Sequence, residues 1–233
     1  MQFASLLVTL FASTYIVFAA PAKTSHCDLS HVSLNFPTSP TGTPLATAIA
    51  PAPKFLGVGV GTQNYTCSAA GTYTSAGAYA EIFDVSCLPT KDSYASITRL
   101  AFDVWKIAPK SWTPAEVVKT LSELHSPVVL GQHYFISNVA GTALSPKWDF
   151  TSASEAGHTD AFVVGAKTGD IPAPINPAEN IDWLSLSGTS GDLANQIFRL
   201  ETNGGQPPSS CTPGSPEIFI RYSSLYAFYG GSF

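Results

Sequence analysis

The chain has 233 residues, of which 12% are charged and 45% hydrophobic, so it can bury a sizeable core and is too apolar to be disordered along its length. Its net charge is −5 and its arginines are Arg99, Arg199 and Arg221. Too few cations are present to build a surface that follows nucleic-acid phosphates, and that class of partner is excluded.

From the N-terminus, Phe3 to Ala20 is an uncharged, mostly apolar run that ends among small residues. It reads as an export signal over residues 1–19, with cleavage after Ala19 or Ala22. A retained membrane anchor is the competing reading, but Pro21 follows at once and no basic stop-transfer cluster appears. Once the signal is removed no membrane association is expected, and the protein is read as extracellular or attached to the cell wall. Residues 20–54 read as an extended arm, because the prolines between Asn35 and Pro53 forbid helix and spoil a central strand. A coil packed on the surface is favoured over a free binding tail.

Residues 55–233 read as one β-rich domain with a helical insertion at about 91–125. Short runs of aromatic and β-branched residues, divided by Gly, Pro, Asn and Ser, predict strands near 64–67, 79–87, 128–137, 162–167, 181–187, 196–202 and 217–229. Between the second and third, Tyr94, Ile97, Leu100, Ala101, Val104 and Trp105 form a helical stripe that Pro109 ends. Thr113-Pro114-Ala115-Glu116 then carries the signature of a capped second helix, continued by Val117, Val118, Leu121 and Leu124. The fold class is mainly β: an antiparallel sandwich or barrel with a short two-helix insertion.

In an oxidising compartment the four cysteines, Cys27, Cys67, Cys87 and Cys211, imply two disulfides, with three connectivities open. Asn64-Tyr65-Thr66 is a glycosylation sequon. The histidines lack zinc-site spacing, no Cys-x-x-Cys occurs, and Gly188-Thr189-Ser190-Gly191 has the wrong spacing for a serine-hydrolase elbow, so no metal and no cofactor is expected. Gly57-Val58-Gly59-Val60-Gly61 superficially suggests a nucleotide loop, but its third glycine is misplaced and a strand-like run follows where a helix should. Glycines that permit close strand packing or a bulge are the plainer account.

The pieces GVGTQNYTC, GQHYF, SPKWDF, NIDWLSL, QIFRLETNGGQPPSSC and RYSSLYAFYG, in that order between about residues 55 and 229, resemble the domain-of-unknown-function family 3455 of secreted fungal and bacterial proteins. That resemblance implies an extracellular setting and no established activity. It also implies the pairing Cys67 to Cys211 and Cys27 to Cys87, because the first pair lies in shared segments and the second in fungal ones. Members are often labelled malate dehydrogenases, a label that the missing nucleotide loop and scarce arginines here oppose.

Two function classes remain. The favoured one is a noncatalytic binding or structural module whose partner is cell-wall carbohydrate or a small apolar ligand, with Trp148 and Trp183 as stacking platforms or else core residues. The alternative is an unrecognised extracellular enzyme acting on carbohydrate, for which Asp149, Asp182 and Glu201 supply carboxylates and His133 a titratable group. Arg199 is expected to pair with Asp182, or with Glu201 two residues along its own strand. The candidate ligand-binding residues are therefore His133, Trp148, Asp182, Trp183 and Arg199.

Overall fold

In a computed structural model the described residues are 27–34, 36–88, 91–112, 129–138, 141 and 143–233. They form eight antiparallel strands, each paired with the next in sequence, and the last closes onto the first. The strands are β1 (Phe55–Cys67), β2 (Tyr73–Asp84), β3 (Val129–Ser137), β4 (Leu144–Asp149), β5 (Phe162–Ile171), β6 (Trp183–Ser190), β7 (Gln196–Gly204) and β8 (Ile218–Tyr229). One helix, α1 (Lys91–Ile107), lies against β1, β7 and β8. Of the two architectures left open, the barrel is therefore correct. The expected export signal and the second helix after Thr113 lie outside the described residues.

Two shells of apolar side chains explain the strand sequences. Alternate residues of each strand point inward, and Phe55, Ile82, Trp148, Phe150, Val163, Ile197, Tyr226 and Phe228 fill one part of the interior. The outward faces of β1, β7 and β8 are also covered, by Leu29, Val32 and Phe36 of the arm and Tyr94 of α1. Phe36 stacks on Phe198 with ring centroids 4.2 Å apart. Strands buried on both faces lose the apolar and polar alternation, which is why Tyr222 to Tyr229 reads as one continuous run.

The glycines of β1 face the interior and allow this packing. A Cβ at Gly59 would lie 2.5 Å from Tyr226 Cε2, and one at Gly61 would lie 1.9 Å from the Tyr79 carbonyl oxygen. β1 consequently begins at Phe55, earlier than its β-branched residues suggest. β4 was absent from the expected strands, because Pro146 and Lys147 interrupt a run of only six residues.

In α1 the expected stripe is rotated. Tyr94, Thr98 and Trp105 are buried, whereas Leu100 and Val104 are exposed. Thr98 satisfies its own hydroxyl on the Tyr94 and Ala95 carbonyls, and its carbonyl accepts from Ser223 Oγ at 2.7 Å. A small polar residue thus lets the helix approach β8 closely. Trp105 Nε1 donates to the Gly61 carbonyl at 2.7 Å, and Arg221 Nη1 donates to the carbonyls of Trp105 and Ala108 at 2.7 and 2.8 Å. Arg221 therefore caps the orphan carbonyls of the last turn.

The arm is a packed coil. Thr43 and Asp170 exchange two main-chain hydrogen bonds of 2.8 Å, and Gln196 accepts from Ile49 N and donates to the Thr47 carbonyl. Cys27 is bonded to Cys87 and Cys67 to Cys211, the pairing that the resemblance implies. Among the described residues no helix is long and apolar enough to cross a membrane.

Candidate functional site

The candidate residues divide between the two faces of the barrel wall. His133 of β3 and Trp148 of β4 are cross-strand partners that point inward, stacked with centroids 4.4 Å apart and planes 12° from parallel. They are only 2% and 1% exposed, so Trp148 is a core residue rather than a platform open to solvent. His133 Nδ1 donates to the Lys147 carbonyl at 3.0 Å. Burial drives its pKa down to about 3, with the nearby Arg199 charge acting in the same direction. A sealed, neutral imidazole has no route to a ligand's proton at neutral pH.

Arg199 of β7 also points inward, toward Tyr226. It does pair with Asp182, but through the main chain: Nε and Nη2 donate to the Asp182 carbonyl at 3.1 and 2.9 Å. The Asp182 carboxyl instead meets that of Asp170. Burial first, then the charge and hydrogen bond of Asp170, raise its pKa, and Arg199 and Lys167 pull the other way. Asp170 Oδ2 is in turn ion-paired with Lys167 Nζ. Tyr222 and Tyr226 extend the polar interior, their hydroxyls 2.9 Å apart and both disfavoured from ionising by burial.

The sequence reading missed Asp170, Tyr222 and Tyr226. Alternation in β8 was the available signal, since Tyr222, Ser224, Tyr226 and Phe228 share one face. For Asp170 there was none, because it follows a register shift between Lys167 and Gly169.

Trp183 faces the other way. Strand alternation across Asp182, Trp183 and Leu184 places it on the outer wall, where it is 8% exposed and borders a cleft of about 340 Å³. One wall of the cleft is α1, with Arg99, Phe102 and Lys106; the opposite wall is the 173–180 segment and β7. Asn180 holds these parts together, accepting from Gly204 N at 2.8 Å and donating to the Ile175 carbonyl at 2.8 Å.

A register shift between Leu200 and Asn203 turns Glu201 into this cleft, so it does not share a face with Arg199 as a regular strand would require. Glu201 and Asn176 have φ of 48° and 47°, the non-glycine residues with positive φ among those described, and both line the cleft. The three carboxylates expected to supply hydrolytic chemistry are consequently dispersed. Asp182 faces the interior, Glu201 the cleft, and Asp149 the outer wall of β4, where Lys147 Nζ lies 2.8 Å away and its pKa sits at about 2. Burial opposes that depression, but hydrogen bonds from Lys147, Thr151 and Tyr134 outweigh it.

These features define an up-and-down eight-stranded barrel with a side-chain-filled interior and a polar cleft on its outer wall. The chain belongs to the family described as protein of unknown function (DUF3455), whose model matches residues 49–230. It matches no curated protein and no solved structure.

Proposed function

We propose that this is a secreted, noncatalytic binding module that holds a polar ligand, cell-wall carbohydrate in the first instance, in the cleft between α1 and β7. The single observation that carries this reading is the coincidence of both positive-φ residues, Asn176 and Glu201, in one cleft. Left-handed backbone at a non-glycine residue costs on the order of 1–3 kcal/mol, less at asparagine, and such strain collects at ligand sites. The cleft's chemistry suits a neutral polyol. It combines the Asn176 and Asn203 side chains and the Glu201 carboxyl with an apolar floor at Trp183 and Phe102, and its cations and carboxylates nearly balance. Export is supported by the two disulfides and the apolar N-terminal run.

The test is a fluorescence titration with soluble β-1,3-glucan, chitin and mannan oligosaccharides. At least one should shift the tryptophan emission, and Trp183→Phe should abolish that shift. Glu201→Gly should weaken binding at least tenfold and leave Tm unchanged or slightly raised, since glycine adopts φ near 48° without strain. Undiminished binding by Glu201→Gly, or no response to any of the saccharides, would overturn the proposal.

A further inference from the structure

We infer that Asn64 is an N-glycosylation site whose first sugar is seated on Phe219. In the sequon Asn64-Tyr65-Thr66 the strand alternation puts Tyr65 inside, where its hydroxyl donates to the Gly205 carbonyl at 2.8 Å. Asn64 and Thr66 therefore share the outer face of β1. Asn64 Oδ1 accepts from Thr62 Oγ1 at 2.9 Å, an anchor that aims the amide while leaving Nδ2 out of that bond.

Its cross-strand neighbours have unequal sizes. On β2 the partner is Gly77, which has no side chain, and on β8 it is Phe219. Phe219 is 56% exposed on a barrel whose other aromatic strand residues are largely packed. Directly opposite residues in an antiparallel pair have Cβ atoms about 4.5–5.5 Å apart, so a group extending from Asn64 passes across the Phe219 ring. The apolar C–H face of N-acetylglucosamine packs on an aromatic ring much as another apolar side chain would, while its hydroxyls remain in water.

The modification joins Asn64 Nδ2 to the anomeric carbon of an N-acetylglucosamine from a lipid-pyrophosphate-linked oligosaccharide. The bond from that carbon to the pyrophosphate oxygen breaks, the lipid pyrophosphate leaves with the electron pair, and the amide nitrogen gives up one proton. This inference needs entry into the secretory pathway but does not depend on the cleft.

The test expresses the chain behind a eukaryotic host's own export signal, so that failure of export is separated from failure of modification. Intact mass of the exported protein should show a glycan that Asn64→Gln and Thr66→Val each eliminate. An unmodified exported wild type would overturn the site. Trimming the glycan to its single innermost N-acetylglucosamine should leave Tm unchanged, whereas complete removal should lower it by about 2–4 °C. In Phe219→Ala complete removal should make no difference. An equal drop in Phe219→Ala, or none in the wild type, would overturn the seating on Phe219.

Discussion

At the scale of single residues, two buried titratable groups act in opposite senses. Glu81 of β2 is fully buried, with Gln132 Nε2 3.4 Å from one oxygen and no partner on Oε1. Burial raises its pKa to about 7, well above its value in the unfolded chain, so the folded state holds a proton that the unfolded chain loses. Its contribution to stability is full below pH about 4.5 and is lost as pH rises to about 7. His133 has the reverse sign. With a folded pKa of about 3 it is neutral when folded and charged when unfolded, so its contribution is full above pH about 6.5 and is lost as pH falls. Between about pH 4.5 and 6.5 folding binds one proton at Glu81 and releases one at His133, and the slopes cancel. Denaturant titrations should therefore give nearly constant stability across that window. Glu81→Gln should unmask a decline toward acid, and His133→Phe, which keeps the stack on Trp148, a decline toward base, each on the order of 2–3 kcal/mol over the window. Equal slopes in both variants would contradict this account.

Among the elements, α1 depends on one residue of β8 for its end. Arg221 donates to four carbonyls between Trp105 and Pro109 and lies 4.3 Å over the Trp105 ring. Arg221→Lys keeps the charge but loses the planar fork, and should destabilise by about 1–3 kcal/mol. Hydrogen exchange should accelerate in the last two turns of α1 while β3 to β6 keep their protection. Strands were legible where β-branched and aromatic residues cluster, as in β3 and β8. They were hidden where a local signal contradicts a tertiary one, as in glycine-rich β1 and proline-interrupted β4. The rotation of α1 was illegible because the burial of Thr98 depends on Ser223, 125 residues away. At the site, the inward and outward faces of Asp182 and Trp183 followed from alternation, whereas the bulge that redirects Glu201 has no sequence mark.

For the molecule as a whole, the two disulfides close long loops, with separations of 60 and 144 residues. One holds the arm to the end of β2, and the other ties the β1–β2 hairpin to the segment before β8. Replacing either pair with alanine should lower stability by ~2–4 kcal/mol, mainly by freeing the unfolded chain. Denatured, unreduced protein should titrate no thiol, and any free cysteine would contradict the pairing. Sandwich and barrel could not be told apart in advance, because closure is a pairing between the ends of the chain rather than a property of any one strand.

That closing pair also sets the order in which the fold can be completed. Phe55 opposes Phe228 and Tyr65 opposes Ile218, so β1 finds its second neighbour only after the other seven strands of the barrel have been made. Until then β1 and β7 each present an open row of unpaired amides and carbonyls, on strands that carry apolar side chains on both faces. Nascent chains halted before β8 are consequently templates for one another, and maturation requires a late, long-range search that no local hairpin can replace.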